Sequence, residues 1–333
     1  MKKIWTLAVV ACVALISSCG GQKSGGSETD AIDAKAESFA KRVLEVSKNG
    51  IGTDAETSHM LEAEYQELKS KLSESDAAKF EEIFPEKLQA VVVSEAKACA
   101  SNVYKAYMEN NNVEAEKIQQ EGSLLKWRLW SFANRVGILY IEELYDNAFM
   151  EETRVLIAPN AKACAKQGYD AYISREDDAI ESAESDFARC LYALPDYAQE
   201  IFTSAYDYEF MLLVTPEIQA YAKRAYEAEI GGDTAALNSV YDELSMYWTP
   251  FPINIINMMN SCFEGEYSSF VAAEAESYAK LVYDARFVSK DESDIESAES
   301  AMARYLYVLP TRFHDGFYAV YNVEYERLTT LVE

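Results

Sequence analysis

The segment IESAESDFARCLYALP at residues 180–195 returns at 295–310 as IESAESAMARYLYVLP, with twelve of its sixteen positions unchanged. A chain that spells one phrase twice is expected to be built from units, each carrying companions of that phrase. A second motif precedes both copies and recurs throughout: AESFAKRVLEVS at 36–47, AKACASNVYKAY at 96–107, AKACAKQGYDAY at 161–172, IQAYAKRAYEAE at 218–229 and AESYAKLVYDAR at 275–286. Its anchor is Phe39, Cys99, Cys164, Tyr221 and Tyr278, at spacings of 60, 65, 57 and 57 residues. Alanine follows every anchor, and Leu44, Tyr104, Tyr169, Tyr226 or Tyr283 stands five places on.

The period inside each motif is helical. Ala96, Cys99, Ala100, Val103, Tyr104 and Tyr107 fall at i, i+3, i+4, i+7, i+8 and i+11, one stripe of an α-helix. The doubled phrase is a second helix, with Ile180, Ala183, Phe187, Cys190, Leu191 and Leu194 on one side and Pro195, Pro252 or Pro310 ending it. A third helix follows, in which Phe202, Ala205, Tyr206 and Phe210 match Met259, Cys262, Phe263 and Tyr267, and Phe317, Val320, Tyr321 and Tyr325. Pro159 and Pro216 are expected to open new first helices. The pattern predicts an all-α chain of five diverged three-helix repeats of 57–65 residues, at about 33–93, 94–158, 159–215, 216–272 and 273–333. Such units stack as an α-solenoid or stand as linked bundles; short connections favour a continuous array.

The N-terminus carries a different signal. Lys2 and Lys3 precede the apolar run 4–16, too short to span a bilayer, and the run ends in Ile16-Ser17-Ser18-Cys19. This closely resembles the lipobox of bacterial lipoproteins. The resemblance implies removal of residues 1–18 as a signal peptide and lipidation of Cys19. Gly20 and Gly21, where an aspartate would favour retention in the inner membrane, imply the outer membrane, and no acid stands before Glu28 to argue for export to the cell surface. The expected address is therefore the outer membrane, with the body on the periplasmic face. Residues 19–32, rich in Gly and Ser at their start, are expected as a flexible linker.

Charge narrows the partners. The chain holds 30 Lys and Arg against 56 Asp and Glu, a net charge of −26, and loss of Lys2 and Lys3 with the signal would leave −28. Such a surface repels phosphate, which argues against nucleic acid and favours a basic protein or peptide partner. No catalytic signature is present; His59 and His314 are the only histidines, and both are expected to face solvent. Cys99, Cys164, Cys190 and Cys262 stand where other units place apolar or aromatic residues, so buried thiols are expected. Cys164 and Cys190, equally distant from a turn near Asp177, are a possible disulfide. The acid pairs Glu181/Glu184 and Glu296/Glu299 are too few for calcium, and neither a metal nor a cofactor is expected.

The tyrosines leave two readings. Tyr104, Tyr107, Tyr169, Tyr172, Tyr226 and Tyr283 either line helix seams or, with neighbouring acids, form a surface for a ligand or partner. The expected function is a membrane-anchored, non-enzymatic helical-repeat lipoprotein that presents a surface to a protein or peptide. The alternative is a receptor for a small cationic ligand or a glycan.

Overall fold

In the computed structural model, which describes residues 28–330, the chain is all α-helical. The lipobox, Cys19 and the start of the expected linker lie outside the described residues. The first helix begins at Glu28, inside the stretch expected as linker. Eleven α-helices follow one another among the described residues: α1 (Glu28–Asn49), α2 (Asp54–Ser70), α3 (Glu74–Met108), α4 (Asn112–Arg135), α5 (Ile141–Ser174), α6 (Asp177–Tyr192), α7 (Asp196–Ile230), α8 (Thr234–Trp248), α9 (Ile253–Tyr283), α10 (Glu292–Val308) and α11 (His314–Thr330). A π-helical turn (Asp284–Ser289) extends α9, and a 3-10 turn (Thr311–Phe313) leads into α11. The chain divides into two compact units, with the border between Thr153 and Arg154, inside α5.

The expected third helix of one repeat and first helix of the next are a single long helix in α3, α5, α7 and α9. Pro159 and Pro216 therefore do not open helices; each lies inside one. A mid-helix proline deprives the carbonyl four residues earlier of its donor. Here both prolines are exposed, and the carbonyls released belong to Val155 and Leu212, themselves exposed, where water can replace the lost bond. Pro195 and Pro252 do mark boundaries, as the N-cap residues of α7 and α9.

Helix ends repeat as well. The chain turns through a left-handed residue at Gly50, Asn110, Arg175, Gly232 and Lys290, each just beyond a long helix. At two of these ends the turn is closed by a bond back across the last turn, from the Asn111 N–H to the Ala106 carbonyl and from the Asp233 N–H to the Ala228 carbonyl, both 2.9 Å.

Burial along the long helices advances by four residues at a time. In α7 the buried column is Ala198, Phe202, Tyr206, Phe210, Val214, Ile218 and Ala222; in α9 it is Ile255, Met259, Phe263, Tyr267, Val271, Ala275 and Ala279. α3 does the same from Phe80 through Phe84, Leu88, Val92 and Ala96 to Ala100. With 3.6 residues per turn, each step of four moves the stripe about 40° around the helix, so its two ends face different directions. The neighbours explain the need. The second half of α7 lies along the first half of α9, with Thr215 Oγ1 4.0 Å from Cys262 Sγ and Gln219 Nε2 donating to Glu266 at 3.2 Å. The second half of α9 in turn meets α11, where Tyr278 and Phe317 lie 6.2 Å apart. Large residues occupy the first half of each stripe and alanines the second, so bulk fills one seam and close approach makes the other.

In the first unit the same logic gathers Phe39, Tyr65, Phe80, Phe84 and Phe132, with Phe80 stacked on Phe84 at 5.4 Å and Phe132 edge-on to Phe84 at 6.3 Å. Burying each such ring contributes roughly 1.5–3 kcal/mol. Arg128 locks α4 to the α1–α2 corner, donating from Nε to Asp54 at 2.7 Å and from Nη1 to the Ser47 carbonyl at 3.0 Å.

Gly232, at φ +69°, has open space where a Cβ would stand, so substitution there tests the left-handed turn alone. Gly232→Ala is expected to lower the unfolding free energy by about 1 kcal/mol, read from the urea midpoint at unchanged slope, and Gly232→Asn by less.

Candidate functional site

Tyr107 and Tyr172 are buried, and Tyr104, Tyr169, Tyr226 and Tyr283 are half-buried. They work in helix seams: the Tyr226 ring stacks on Phe270 at 5.3 Å with its hydroxyl 3.2 Å from that of Tyr305, Tyr169 meets Phe210 edge-on, and Tyr283 stacks on Phe287 at 5.1 Å. By contrast Tyr192 and Tyr307, which hold the same place in the doubled phrase, are 75% and 90% exposed.

Among the described residues the four cysteines are free thiols; Cys99 and Cys164 are buried, whereas Cys190 and Cys262 are half-buried. Cys164 on α5 faces Cys190 on α6, and burial together with that neighbour pushes the Cys164 thiol up to about 12, leaving it protonated and unreactive as a nucleophile. His59 is exposed beside Arg135, with Nδ1 3.2 Å from Nη1. His314 departs from its expected solvent-facing role: it is half-buried, with Nε2 3.0 Å from the Leu309 carbonyl, a carbonyl freed by the chain's turn at Pro310. Glu299 pairs with Arg286. Among the described residues no cluster of acids, histidines and cysteines has the form of a metal site, and no helix is long and apolar enough to cross a membrane.

A cavity of about 740 Å³ lies in the second unit, between α8 and the first half of α9. The end of α7 contributes Glu229, and the chain leading into α11 contributes Pro310 and Arg312. Its apolar wall is made by Tyr241, Leu244 and Trp248 from one helix and Phe263 from the other. Leu244 and Phe263 are buried by the core behind them, while Tyr241 and Trp248 remain partly open. The Trp248 indole N–H is covered and meets no acceptor among the described residues, so what this side chain offers the cavity is its ring.

Two carboxylates flank that wall in unlike settings. Glu264 lies 3.6 Å from the Arg312 guanidinium, which is itself stacked over Phe313 at 4.8 Å. Glu229 accepts a hydrogen bond from the Tyr267 hydroxyl at 2.8 Å and pairs with no cation among the described residues. The Tyr267 ring is fixed from behind by Phe313, stacked at 4.4 Å. The cavity thus joins an aromatic lining to one carboxylate whose charge is uncompensated. A volume of this size with few convergent polar groups is the usual form of a small-ligand site.

A smaller cavity of about 170 Å³ lies between α6 and α7. Tyr172, Glu184, Phe187, Thr203, Tyr206 and Asp207 on its wall stand 57 residues before Glu229, Tyr241, Leu244, Asn260, Phe263 and Glu264 on the wall of the large one. Here the Tyr172 hydroxyl donates to Glu184 at 3.1 Å, and burial with that carboxylate pushes Tyr172 up to about 12. Burial also raises Asp207 above the ordinary carboxylate range.

Compared with protein-family models, with curated proteins and with solved structures, the chain matches none.

Burial raises Tyr206, Tyr267 and Tyr305 further than Tyr172. A phenol whose folded pKa lies above its unfolded value of ~10 stabilises the fold fully below pH ~10, and loses that contribution as the pH rises through the folded value. Stability is therefore expected to fall steadily above pH ~10. Absorbance at the phenolate band should show Tyr172, Tyr206, Tyr267 and Tyr305 ionising only together with unfolding.

Proposed function

We propose that the protein is a membrane-anchored, non-enzymatic helical-repeat lipoprotein of the cell envelope. In this reading the large cavity of its second unit receives an organic ammonium group carried on an apolar body, either a free amine or a basic side chain of a peptide. The observation that carries this reading is Glu229, a carboxylate answered only by a neutral phenol on the lining of an aromatic cavity, in a chain of net charge −26. A cation gains from the aromatic faces and from the carboxylate together, and the field of the whole molecule raises its local concentration. The peptide source has support of its own in Tyr192 and Tyr307, which give a peptide backbone exposed aromatic ground at repeated positions.

The five-unit array belongs to the same proposal. Its support is that each expected first helix ends in a left-handed residue eleven places after its anchor in four units and twelve places after it in the fifth. The one extra residue falls where the π-helical turn lies, the usual way a helix absorbs an insertion. The unit is then a long helix shared with its neighbour and a short helix between. Lipidation of Cys19, and through it an outer-membrane address on the periplasmic side, rests on the lipobox alone.

Titration calorimetry with benzylamine at low salt should show one site. Glu229→Gln should weaken it about tenfold, or ~1.4 kcal/mol, and added salt should weaken it in the parent chain but little in the variant. Binding of a neutral disaccharide instead, insensitive to salt and to Glu229→Gln, would contradict the ammonium reading. Labelled palmitate should enter the wild-type protein in cells and not Cys19→Ala; equal labelling of both would remove the anchor.

A further inference from the structure

The two cavities related by 57 residues differ in one coordinated exchange. In the small one, the Tyr172 ring lies between Phe210 at 6.3 Å and Phe251 at 5.6 Å, and its hydroxyl reaches Glu184. In the large one, the residue matching Tyr172 is Glu229, the one matching Phe210 is Tyr267, and the one matching Phe187 is Leu244. The phenol–carboxylate hydrogen bond survives the exchange with its partners moved: the acid now lines the space and the phenol stands fully buried behind it. A ring has left the interior and a carboxylate has entered it, already provided with a donor.

The consequence for volume is direct. Beyond the small cavity, and sharing Thr203 with it, lies an open depression over Leu191 and Gln199. The matching residues of the other repeat, Trp248 and Ile256, line the same continuous cavity as Glu229 and Phe263. What is one space of about 740 Å³ there is two separate spaces here, and the inner one is reduced to about 170 Å³ among the rings of Tyr172, Phe187 and Tyr206.

We infer that the cavity beside Tyr172 is a second copy of the ligand site held closed by the Tyr172 ring, and that the exchange Tyr172/Phe210 against Glu229/Tyr267 decides which repeat takes an ammonium ligand. The inference rests on the reading of the large cavity as an ammonium site. It makes Tyr172 and Glu229 the specificity-determining residues of the array: the position 23 residues before the proline that opens the next long helix selects between a packed seam and a receptor.

The test is to move the exchange. In Tyr172→Glu/Phe187→Leu/Phe210→Tyr, the introduced carboxylate has an introduced phenol to accept from, so it is not left buried without a partner. Calorimetry with benzylamine should then give two sites per chain where the parent gives one, the new site within about tenfold of the old in affinity. One site in both chains, with circular dichroism showing an intact fold, would overturn this inference and leave the reading of the large cavity standing. No binding by the parent chain would overturn that reading and this one with it. Should the triple variant not fold, the reciprocal change Glu229→Tyr/Leu244→Phe reads the same rule. It should abolish binding with helicity intact, a larger loss than the tenfold expected for Glu229→Gln, and a loss no greater than that of Glu229→Gln would overturn the inference.

Discussion

The four-residue stride of buried side chains along the long helices is the constraint on which the rest of this structure depends. A stripe of period 3.6 keeps one face toward one neighbour, as in a simple bundle. A stripe that advances by four turns away from its first neighbour by about 40° at every step, so a helix of thirty or more residues such as α7 serves one neighbour with its first half and another with its second. That is why the division into large and small side chains falls along each helix rather than between helices. Phe202 and Tyr206 meet Phe187 of the short helix α6, Phe210 meets Tyr169 and Tyr172 of α5, and Ile218, Ala222 and Ala225 admit the next long helix closely.

Twice in the second compact unit this arrangement leaves a place where three elements meet: a short helix, the first half of a long helix, and the chain entering the next long helix. Filling that place requires rings from more than one element. In the unit of α6 and α7 the rings are supplied. In the unit of α8 and α9 Glu229 and Leu244 take the place of two of them, and a cavity opens against Trp248, Tyr241 and Phe263. The cavity stands where the matching place 57 residues earlier is packed with rings, and the phenol of Tyr267 gives Glu229 a hydrogen-bond donor.

Much of the helical content was legible in the sequence because apolar periodicity is a local property, and the prolines at 195 and 252 mark boundaries in both sequence and structure. The fusion of neighbouring helices was not legible at Pro159 and Pro216, because a proline ends a helix only when the carbonyl it releases has nowhere to turn; both face solvent here. The tyrosines left two readings, seam or surface; Tyr107 and Tyr172 are spent in the core, and the aromatic wall of the cavity is built from Phe263, which the third-helix pattern names, and from Tyr241 and Trp248, which no motif singles out. Aligning the third and fourth units residue by residue shows the signal that was there: glutamate at 229 where the pattern asks for a ring.

The central claim is that one unit has opened where its neighbour is packed, and Trp248 reports on it directly. With 5-fluorotryptophan in place of tryptophan, Trp127 and Trp130 of the first unit serve as internal references, 4.6 Å apart and distant in sequence from the cavity. Titration with benzylamine followed by fluorine resonance should move the Trp248 signal in a saturable way and leave those of Trp127 and Trp130 in place. Equal, unsaturable shifts of all three signals, or none at any of them, would contradict the account.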